Sequence, residues 1–202
     1  YEVMAYSKSY FGTTTKVATG SFTVDGPSAG AVSIKKINLD KGTFRMRVKN
    51  VTSASAIKSV KVRVKNMDGK KKTRTYTAKK SGNYYYISVD MKNHNYELGT
   101  YRFIVIATDG NGIENTVQNV KYEFETPTPS VTAKLRAKES KIALTAKDLG
   151  IGAGIKGVRF RVTCTGETTK KKNYAAKKNA QGVYKTEIKV ADFGMSGTYK
   201  VQ

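Results

Sequence analysis

The sequence predicts an all-β fold, built as tandem immunoglobulin-like β-sandwiches of about seven strands each. Apolar and polar residues alternate in short runs bounded by turn residues, a pattern typical of half-buried antiparallel strands. Seven such runs occur within about 100 residues, which is typical of this sandwich, and similar runs recur elsewhere along the chain. No segment shows a convincing helical period.

The most complete set of runs predicts seven strands in order. They cover residues 31–38, 43–48, 57–66, 73–78, 84–90, 101–108 and 116–124. Asp68-Gly69 and residues 109–112 (DGNG) indicate hairpin turns, because Gly and Asn accept positive φ. The prolines of residues 126–129 (TPTP) cannot donate to a sheet, and they predict a stiff linker.

Internal similarity sets the repeat length. Residues 56–64 match residues 154–162, which lie 98 positions later, and Gly99-Thr100-Tyr101 recurs at the same spacing as Gly197-Thr198-Tyr199. Several matches in one register predict a structural repeat rather than a chance likeness.

A third, partial copy predicts how the repeats divide the chain. Residues 1–7 resemble residues 101–107, so residues 1–26 are expected to be terminal strands of a preceding repeat. Residues 27–126 are then a complete repeat, and residues 127–202 are a repeat that lacks its last strands. Residues 1–26 would complete that repeat, within one chain or head to tail between chains, by strand complementation. The alternative is a fragment boundary with poorly ordered ends.

The composition indicates a polyanionic partner. The 202 residues include 37 Lys and Arg against 15 Asp and Glu, for a formal charge of +22 and a pI of about 10.0. Nucleic acid, anionic membrane surfaces and acidic polysaccharides or cell-wall polymers all attract such a chain. The longest apolar runs are far shorter than a membrane-spanning helix, so no transmembrane segment is expected.

Two equivalent strands carry the strongest charge pattern. In one, Val60, Val62 and Val64 alternate with cations, and in its copy Val158, Phe160 and Val162 do the same. Each strand runs into a basic hairpin. The candidate polyanion-binding residues are Lys61, Arg63, Lys65, Lys70, Lys71, Lys72, Arg74, Lys79, Lys80, Arg159, Arg161, Lys170, Lys171, Lys172, Lys177 and Lys178. The alternative is that these lysine-rich faces only keep the sandwich soluble.

The ratio of lysine to arginine bears on which type of polyanion the chain binds. Lys outnumbers Arg, which favours diffuse charge contacts over bidentate recognition of phosphate or guanine. Residues 84–86 (YYY) offer stacking surfaces, but alternation sends at least one of these tyrosines into the core. No recognition helix or nucleic-acid motif is evident.

Catalytic, metal and cofactor sites are not expected. A single cysteine excludes an internal disulfide and a Cys-rich zinc site, and Cys164 continues an inward apolar series. His94 has no nucleophile nearby in sequence and is expected to make a local hydrogen bond. Asp109 begins a calcium-like loop that lacks the distal Glu.

Five short motifs stand out in the most complete copy: IKSVKV at 57–62, YTA at 76–78, GNY at 82–84, KNH at 92–94 and GTY at 99–101. Together they resemble the Bsp-like repeat of Gram-positive cell-surface and cell-wall-associated proteins. The second copy keeps IKGV at 155–158, YAA at 174–176, GVY at 182–184 and GTY at 197–199, but has Asp192-Phe193-Gly194 near the Asn-His position. The resemblance implies an extracellular accessory module in tandem, sometimes beside wall-lytic enzymes, and it implies no catalysis.

The combined interpretation is a non-catalytic extracellular module of the cell surface or cell wall. It is expected to space domains and to bind an anionic cell-wall polymer or polysaccharide through repeated Lys and Arg patches. Two alternatives remain open. One is a purely structural stalk or filament subunit that self-associates head to tail by strand complementation. The other is a nucleic-acid-binding protein, which ranks below a wall polymer because of the family resemblance.

Overall fold

Short antiparallel strands form almost all of the regular structure. The computed structural model describes residues 1–69 and 72–202, so the candidate residues Lys70 and Lys71 lie outside the described part. The strands are β1 Glu2–Lys8, β2 Thr14–Ser21, β3 Val32–Asn38, β4 Thr43–Lys49, β5 Ile57–Asn66, β6 Thr73–Thr77, β7 Lys79–Ser81, β8 Tyr84–Asp90, β9 Gly99–Asp109, β10 Glu114–Phe124, β11 Ser130–Arg136, β12 Lys141–Lys147, β13 Val158–Thr165, β14 Thr169–Lys178, β15 Tyr184–Lys189 and β16 Thr198–Val201. The only helical segments among the described residues are short 3₁₀ turns, and none is long and apolar enough to cross a membrane. The all-β prediction is confirmed.

Two four-stranded sheets form the first sandwich, in the orders β10-β9-β5-β6 and β3-β4-β8-β7. Alternate residues of β4, β5 and β9 are buried, as the period-2 pattern predicts. Their inward side chains form one core around Phe44, Met46, Tyr101 and Phe103, none of which is more than 2% exposed. The other faces of both sheets point to solvent.

The second sandwich has the same plan with fewer strands. Its strands follow the order β11-β12-β15-β14-β13-β16. The long strand β14 pairs first with β13 and then, at Lys177 and Lys178, with β15, so that it links the two halves. Between the halves lies a second core that includes Leu144, Phe160 and Cys164. Cys164 is fully buried, as its place in the inward series predicts.

One short strand of the first sandwich was not predicted. The strand predicted over residues 73–78 is β6, which pairs with β5, but the chain then crosses to the other sheet, where β7 pairs with β8. The sandwich therefore has eight strands rather than about seven. The short side-chain pattern of this segment does not distinguish a strand that stays in one sheet from one that changes sheet.

A tyrosine closes the entry to the same strand in both sandwiches. The Tyr101 hydroxyl donates to the Glu97 carbonyl over 2.7 Å, and the Tyr199 hydroxyl donates to the Met195 carbonyl over 3.0 Å. This is the arrangement of the tyrosine corner in immunoglobulin-like domains. The recurring GTY motif therefore reflects a fold requirement rather than a ligand.

The first hairpin reproduces the last hairpin of the first sandwich. Strands β1 and β2 form a two-stranded sheet with a register shift at Val17, and β9 and β10 have the same shift at Val117, 100 positions later. Every residue of β1 and β2 is exposed. Strand β16 already lies on β13, where β9 lies on β5, so a hairpin that completed the second sandwich would have to displace β16.

A loop of the second sandwich packs into the first. Ile151 is 5% exposed and belongs to the core cluster of the first sandwich. The backbone N–H of Gly152 donates to the Leu39 carbonyl over 3.0 Å, and Lys178 pairs with Asp40. We call this contact region the joint. The joint ties the two sandwiches through packing, a backbone hydrogen bond and an ion pair.

Tyr96 shapes the joint from the side of the first sandwich. It has a φ of +55°, and its ring lies against Gly42. A Cβ atom at Gly154 would stand 2.8 Å from the Tyr96 Cβ atom, so the close approach requires glycine. The corresponding turn of the second sandwich is one residue shorter, with Gly194 alone at positive φ where Asn95 and Tyr96 stand in the first. Tyr96 is thus an insertion placed in the joint.

Candidate functional site

The outward face of the sheet β10-β9-β5-β6 carries a group of cations. Arg63 and Lys61 are exposed, and Lys65 is half-buried. In the pairing register, Lys65 stands opposite Arg102, which in turn stands opposite Lys121. Five positive side chains from three strands therefore share one face. We call it the Arg63 face, made of Lys61, Arg63, Lys65, Arg102 and Lys121.

The middle of the Arg63 face is concave. Arg63, Lys65, Thr73, Arg102 and Ile104 line a shallow depression of about 420 Å³. Among the residues that the structure describes, no carboxylate lies within ion-pair distance of any of these three cations. Unpaired cations around a concave surface attract anions.

One side chain of this depression is held in place. The Arg102 Nε donates to the Asn119 Oδ1 over 2.9 Å, which orients the guanidinium across the sheet. The remaining N–H groups of Arg102 make no contact with a carboxylate among the described residues. They are available to a planar or tetrahedral anion.

The second sandwich carries an equivalent group on the outward face of β14-β13-β16. Arg159 and Arg161 alternate with the buried Phe160 and Val162, as predicted. Lys171 and Lys200 stand on either side of Thr163 in the same row. We call Arg159, Arg161, Lys171 and Lys200 the Arg161 face.

Three cations stand at matching repeat positions of the two faces: Arg63 corresponds to Arg161, Lys61 to Arg159 and Arg102 to Lys200. A fourth cation lies in the row of Arg102 and Lys200, but on different strands: Lys65 is on the central strand β5, whereas Lys171 is on β14. Four cations are thus kept, one of them displaced by one strand.

Most hairpin cations of the predicted patches do not join these faces. Neighbouring residues on a strand point to opposite sides, so Arg74 and Lys172 stand opposite the inward residues Val64 and Val162. Four others belong to the second sheet or its equivalent, where they pair with β8 or β15: Lys79, Lys80, Lys177 and Lys178. The predicted single patch is therefore divided between two surfaces.

Two further lysines hold a 3₁₀ turn in each sandwich. The Lys72 Nζ donates to the Asn95 Oδ1 over 3.3 Å, and the equivalent Lys170 Nζ donates to the Phe193 carbonyl over 2.7 Å. These contacts lie at the end of the turns Met91–His94 and Val190–Asp192. Lys72 and Lys170 therefore have a local structural contact that competes with ligand binding.

His94 packs as a core ring. It is fully buried, its Nε2 lies 3.4 Å from the Tyr76 hydroxyl, and its ring meets the Tyr101 ring edge-on at 5.3 Å. In the second sandwich Phe193 is equally buried and meets Tyr199 in the same way at 5.2 Å. A hydrocarbon ring thus fills the place of the imidazole, which favours packing over chemistry. His94 was expected to make a local hydrogen bond from a loop, but its partner Tyr76 stands 18 residues away in the sequence and the ring is buried.

The residue before each buried ring contacts a tyrosine at the same repeat position. Asn93 Nδ2 lies 3.5 Å from the Tyr76 hydroxyl, and in the second sandwich the Tyr174 hydroxyl donates to Asp192 over 3.1 Å. Burial, with this hydrogen bond to Asp192, raises the pKa of Tyr174 to about 12. Asp192-Phe193 therefore stand where Asn93-His94 stand in the first sandwich.

Replacing His94 with phenylalanine is expected to flatten the pH dependence of stability. Burial lowers the pKa of His94 below its ordinary 6.5, with Arg74 and Lys72 adding to this while the Lys72 backbone and Glu97 oppose it. The unfolded chain then binds more protons, so wild-type stability is full above pH 6.5 and falls as the pH decreases. Urea unfolding at about pH 7.5 and about pH 5 measures this difference. A His94→Phe variant with the wild-type pH difference would contradict it.

The Asp109 carboxylate organises a loop. It is 1% exposed, and its carboxylate accepts the N–H groups of Asn111 and Ile113 and the Ser53 hydroxyl, over 2.9 to 3.0 Å. Burial raises the pKa of Asp109, but the hydrogen bonds outweigh it and the pKa is lowered. Among the described residues no cluster of three metal-ligating side chains occurs.

Sequence reasoning missed Arg102, Lys121 and Lys200. Arg102 interrupts a run whose outward residues are otherwise Ile104 and Ile106, so the run indicates a buried strand and carries no charge pattern. Only the pairing register places it opposite Lys65. The 98-residue repeat was the available signal, since it aligns Arg102 with a second cation, Lys200.

A search of curated proteins found no match. Among solved structures, a polysaccharide deacetylase from Bacillus cereus is 14% identical with a TM-score of 0.41, over 50% of this chain and 31% of that one. A tetra-tandem repeat from the extending region of a large adhesion protein is 16% identical with a TM-score of 0.40, over 95% of this chain and 48% of that one.

The sequence comparison with protein families is more specific. Residues 33–122 match the model of the GBS Bsp-like repeat. This range runs from β3 to β10 and thus covers nearly all of the first sandwich, including the tyrosine corner and the Arg63 face. Residues 33–122 are therefore similar to the GBS Bsp-like repeat, the family that the short sequence motifs indicated.

Proposed function

We propose that this chain is a non-catalytic extracellular module that spaces domains and binds an anionic surface polymer through the Arg63 and Arg161 faces. The observation that carries the proposal is the four-cation group that recurs on the same sheet of both sandwiches. The GBS Bsp-like repeats are extracellular and surface-associated, which supports a wall polymer or polysaccharide as the partner. Residues 27–126 are proposed as the complete repeat, residues 1–26 as the last strands of a preceding one, and residues 127–202 as a repeat without its last strands.

Charge distribution supports binding by these faces rather than by net charge alone. The cations that form ion pairs among the described residues are Arg136, Lys141 and Lys178, all away from both faces. The face cations thus have no ion-pair partner among the described residues, although Glu123 follows Lys121 on the same side of β10.

The joint supports the spacing role. A linker of flexible residues would let the two sandwiches move independently. Here Ile151 and the Gly152 hydrogen bond fix one sandwich on the other, so that the two faces keep a constant separation along the chain.

Neutralising the Arg63 face is expected to weaken polyanion binding at low salt by roughly tenfold or more. The variant Arg63→Gln, Lys65→Gln, Arg102→Gln should also reduce the salt dependence of binding, because each lost phosphate contact releases about one counterion fewer. Binding to poly(glycerol phosphate) is measured by calorimetry across a salt series.

The matched control removes the same charge elsewhere. The variant Arg74→Gln, Lys80→Gln, Lys177→Gln changes three exposed cations that lie off both faces. It should retain nearly wild-type affinity. Equal losses in the two triple variants would replace the faces with a diffuse effect of net charge, and no binding by the wild type at low salt would refute the polymer.

A second candidate is a structural stalk or filament subunit that assembles by strand complementation. The observation that favours it is the β1–β2 hairpin, which repeats the register of β9–β10 but exposes Tyr1 and Val3, the equivalents of the buried Tyr101 and Phe103. The second sandwich of another copy is the proposed acceptor, in which β1 would displace β16 from β13. Light scattering tests it: concentration-dependent association that Val3→Asp abolishes supports this candidate, and a strict monomer excludes it.

A further inference from the structure

The outward face of the other sheet in the first sandwich combines aromatic rings with guanidinium groups. Of the three consecutive tyrosines, Tyr85 points into the core at 9% exposure while Tyr84 and Tyr86 point outward. The Arg45 guanidinium carbon lies 4.5 Å from the Tyr86 ring centroid, and that of Arg47 lies 4.7 Å from the Tyr84 centroid. We call these four residues the Tyr84–Tyr86 face.

The four side chains form a continuous layer. The Tyr84 and Tyr86 centroids are 6.4 Å apart, with their planes at 56°. Stacking on a ring holds each guanidinium without using its N–H groups. Neither arginine donates to a carboxylate among the described residues, and the buried Arg47 Nε has no hydrogen-bond partner there.

More positive charge surrounds the layer. Lys35 stands opposite Arg45, Lys79 opposite Tyr86 and Lys49 opposite Tyr84 in the pairing register. No carboxylate occupies these rows. The nearest one along β8 is Asp90, whose side chain accepts the Lys92 N–H over 2.8 Å and so belongs to the 3₁₀ turn.

The Tyr84 phenol responds first to a hydrogen bond and then to this surrounding charge. The Ser81 hydroxyl donates to the Tyr84 oxygen over 3.2 Å, and this hydrogen bond, followed by Arg47 and Arg45, lowers the pKa of Tyr84. The same field that favours a phenolate favours any anion that approaches the face.

The second sandwich does not repeat the layer. Arg45 and Arg47 correspond to Ala143 and Thr145 there. Its equivalent surface holds an ion-pair network in which Arg136 and Lys141 both contact Glu187, over 2.6 and 3.6 Å. Each sandwich carries a cationic face, the Arg63 face on the first and the Arg161 face on the second. The Tyr84–Tyr86 face occurs only on the first sandwich, within residues 33–122 that match the GBS Bsp-like repeat.

We propose that the Tyr84–Tyr86 face binds an acidic polysaccharide whose sugar rings carry carboxylates. Its tyrosine rings would pack against the apolar faces of the sugars, and the free N–H forks of Arg45 and Arg47 would take the carboxylates in bidentate pairs. A polyol phosphate has no ring to use the tyrosines. The choice of a sugar over a nucleobase rests on the extracellular surface location in the proposed function.

The first experiment compares four polymers on the wild-type chain and on Tyr84→Ala, Tyr86→Ala. The probes are polygalacturonate, ringless polyphosphate, single-stranded poly(dT) and neutral dextran. We expect the wild type to prefer polygalacturonate to dextran, and the variant to lose roughly tenfold or more of that affinity while it keeps its polyphosphate affinity. The matched control is Tyr6→Ala, Tyr10→Ala, which removes two exposed tyrosines from the first hairpin.

A second variant keeps the charge and guards against misfolding. Arg47→Lys retains the positive charge but loses the planar fork, and it should weaken polygalacturonate binding several-fold without changing the unfolding temperature by more than a few degrees. Unchanged polygalacturonate affinity in both variants overturns the proposal. A larger loss for poly(dT) than for polygalacturonate overturns it in favour of nucleic acid.

The outcomes separate this proposal from the proposed function. Loss of poly(glycerol phosphate) binding in the Arg63 triple variant, with polygalacturonate binding unchanged in the tyrosine variant, supports the Arg63 face and overturns the Tyr84–Tyr86 face. Loss of polygalacturonate binding in the tyrosine variant, with poly(glycerol phosphate) binding unchanged in the Arg63 triple variant, supports the Tyr84–Tyr86 face and overturns the Arg63 face.

Discussion

Ile151→Asp is expected to uncouple the two sandwiches while both stay folded. Ile151 lies in a loop outside the strands of its own sandwich, yet its side chain is buried in the core of the other. A carboxylate has no partner in that apolar site, so it leaves the site rather than pay the cost of burial. The Gly152 hydrogen bond and the contact with Tyr96 are lost with it. Small-angle X-ray scattering should show a broader distribution of interatomic distances and a larger maximum dimension.

The same loop offers a matched control. Ala153 is exposed and lies two residues away, so Ala153→Asp adds the same charge without touching the joint. A second variant, Gly154→Val, should act like Ile151→Asp because its Cβ would collide with Tyr96. If Ile151→Asp and Gly154→Val both scatter like the wild type and like Ala153→Asp, the joint does not fix the sandwiches. If Ile151→Asp unfolds the first sandwich, as seen by circular dichroism, Ile151 is part of its core rather than a separable contact.

The joint also marks the limit of what the sequence predicts. Strand positions follow from a local period of two, which is why the alternating valines of β5 and the inward place of Cys164 are confirmed. Ile151 stands at the repeat position of Ser53, which instead donates to Asp109 within the first sandwich. A single apolar residue in a glycine-rich loop has no periodicity. The local sequence therefore does not indicate that the side chain of Ile151 packs into the other sandwich.

The candidate faces divide in the same way. The alternation of Lys61, Arg63 and Lys65 with valines predicts that these three cations share a face, because the fact concerns one strand. Arg102 joins them through strand pairing across nearly 40 residues of chain. Conversely, Lys72 and Lys170 lie in the basic runs of the sequence, but their side chains contact the 3₁₀ turns instead of joining either face. A short-range pattern predicts which side chains share a face of one strand. Only the pairing register of the strands predicts which side chains share a face of the sheet.

Phe44→Ala is expected to give the largest loss of stability, about 3–5 kcal/mol, confined to the first sandwich. Phe44 is 2% exposed and contacts Phe124, Tyr101 and Phe103, with ring centroids at 4.7, 6.0 and 6.0 Å. Removing the ring leaves a cavity between both sheets, because the contacts come from β4, β9 and β10. A loss of this size is a large fraction of the stability of an ordinary domain.

Scanning calorimetry distinguishes how far the loss spreads. If each sandwich unfolds as its own unit, Phe44→Ala should lower one transition and leave the transition of the second sandwich in place. Phe22→Ala is the control, since this ring lies on the first hairpin and is 53% exposed; it should change neither transition. Because Ile151 is packed in the core that Phe44 supports, the first sandwich should also release the joint as it unfolds. The second sandwich of the Phe44→Ala variant should then melt at the same temperature as the second sandwich of the Ile151→Asp variant. A single, lowered transition in Phe44→Ala would show instead that the two sandwiches unfold as one cooperative unit.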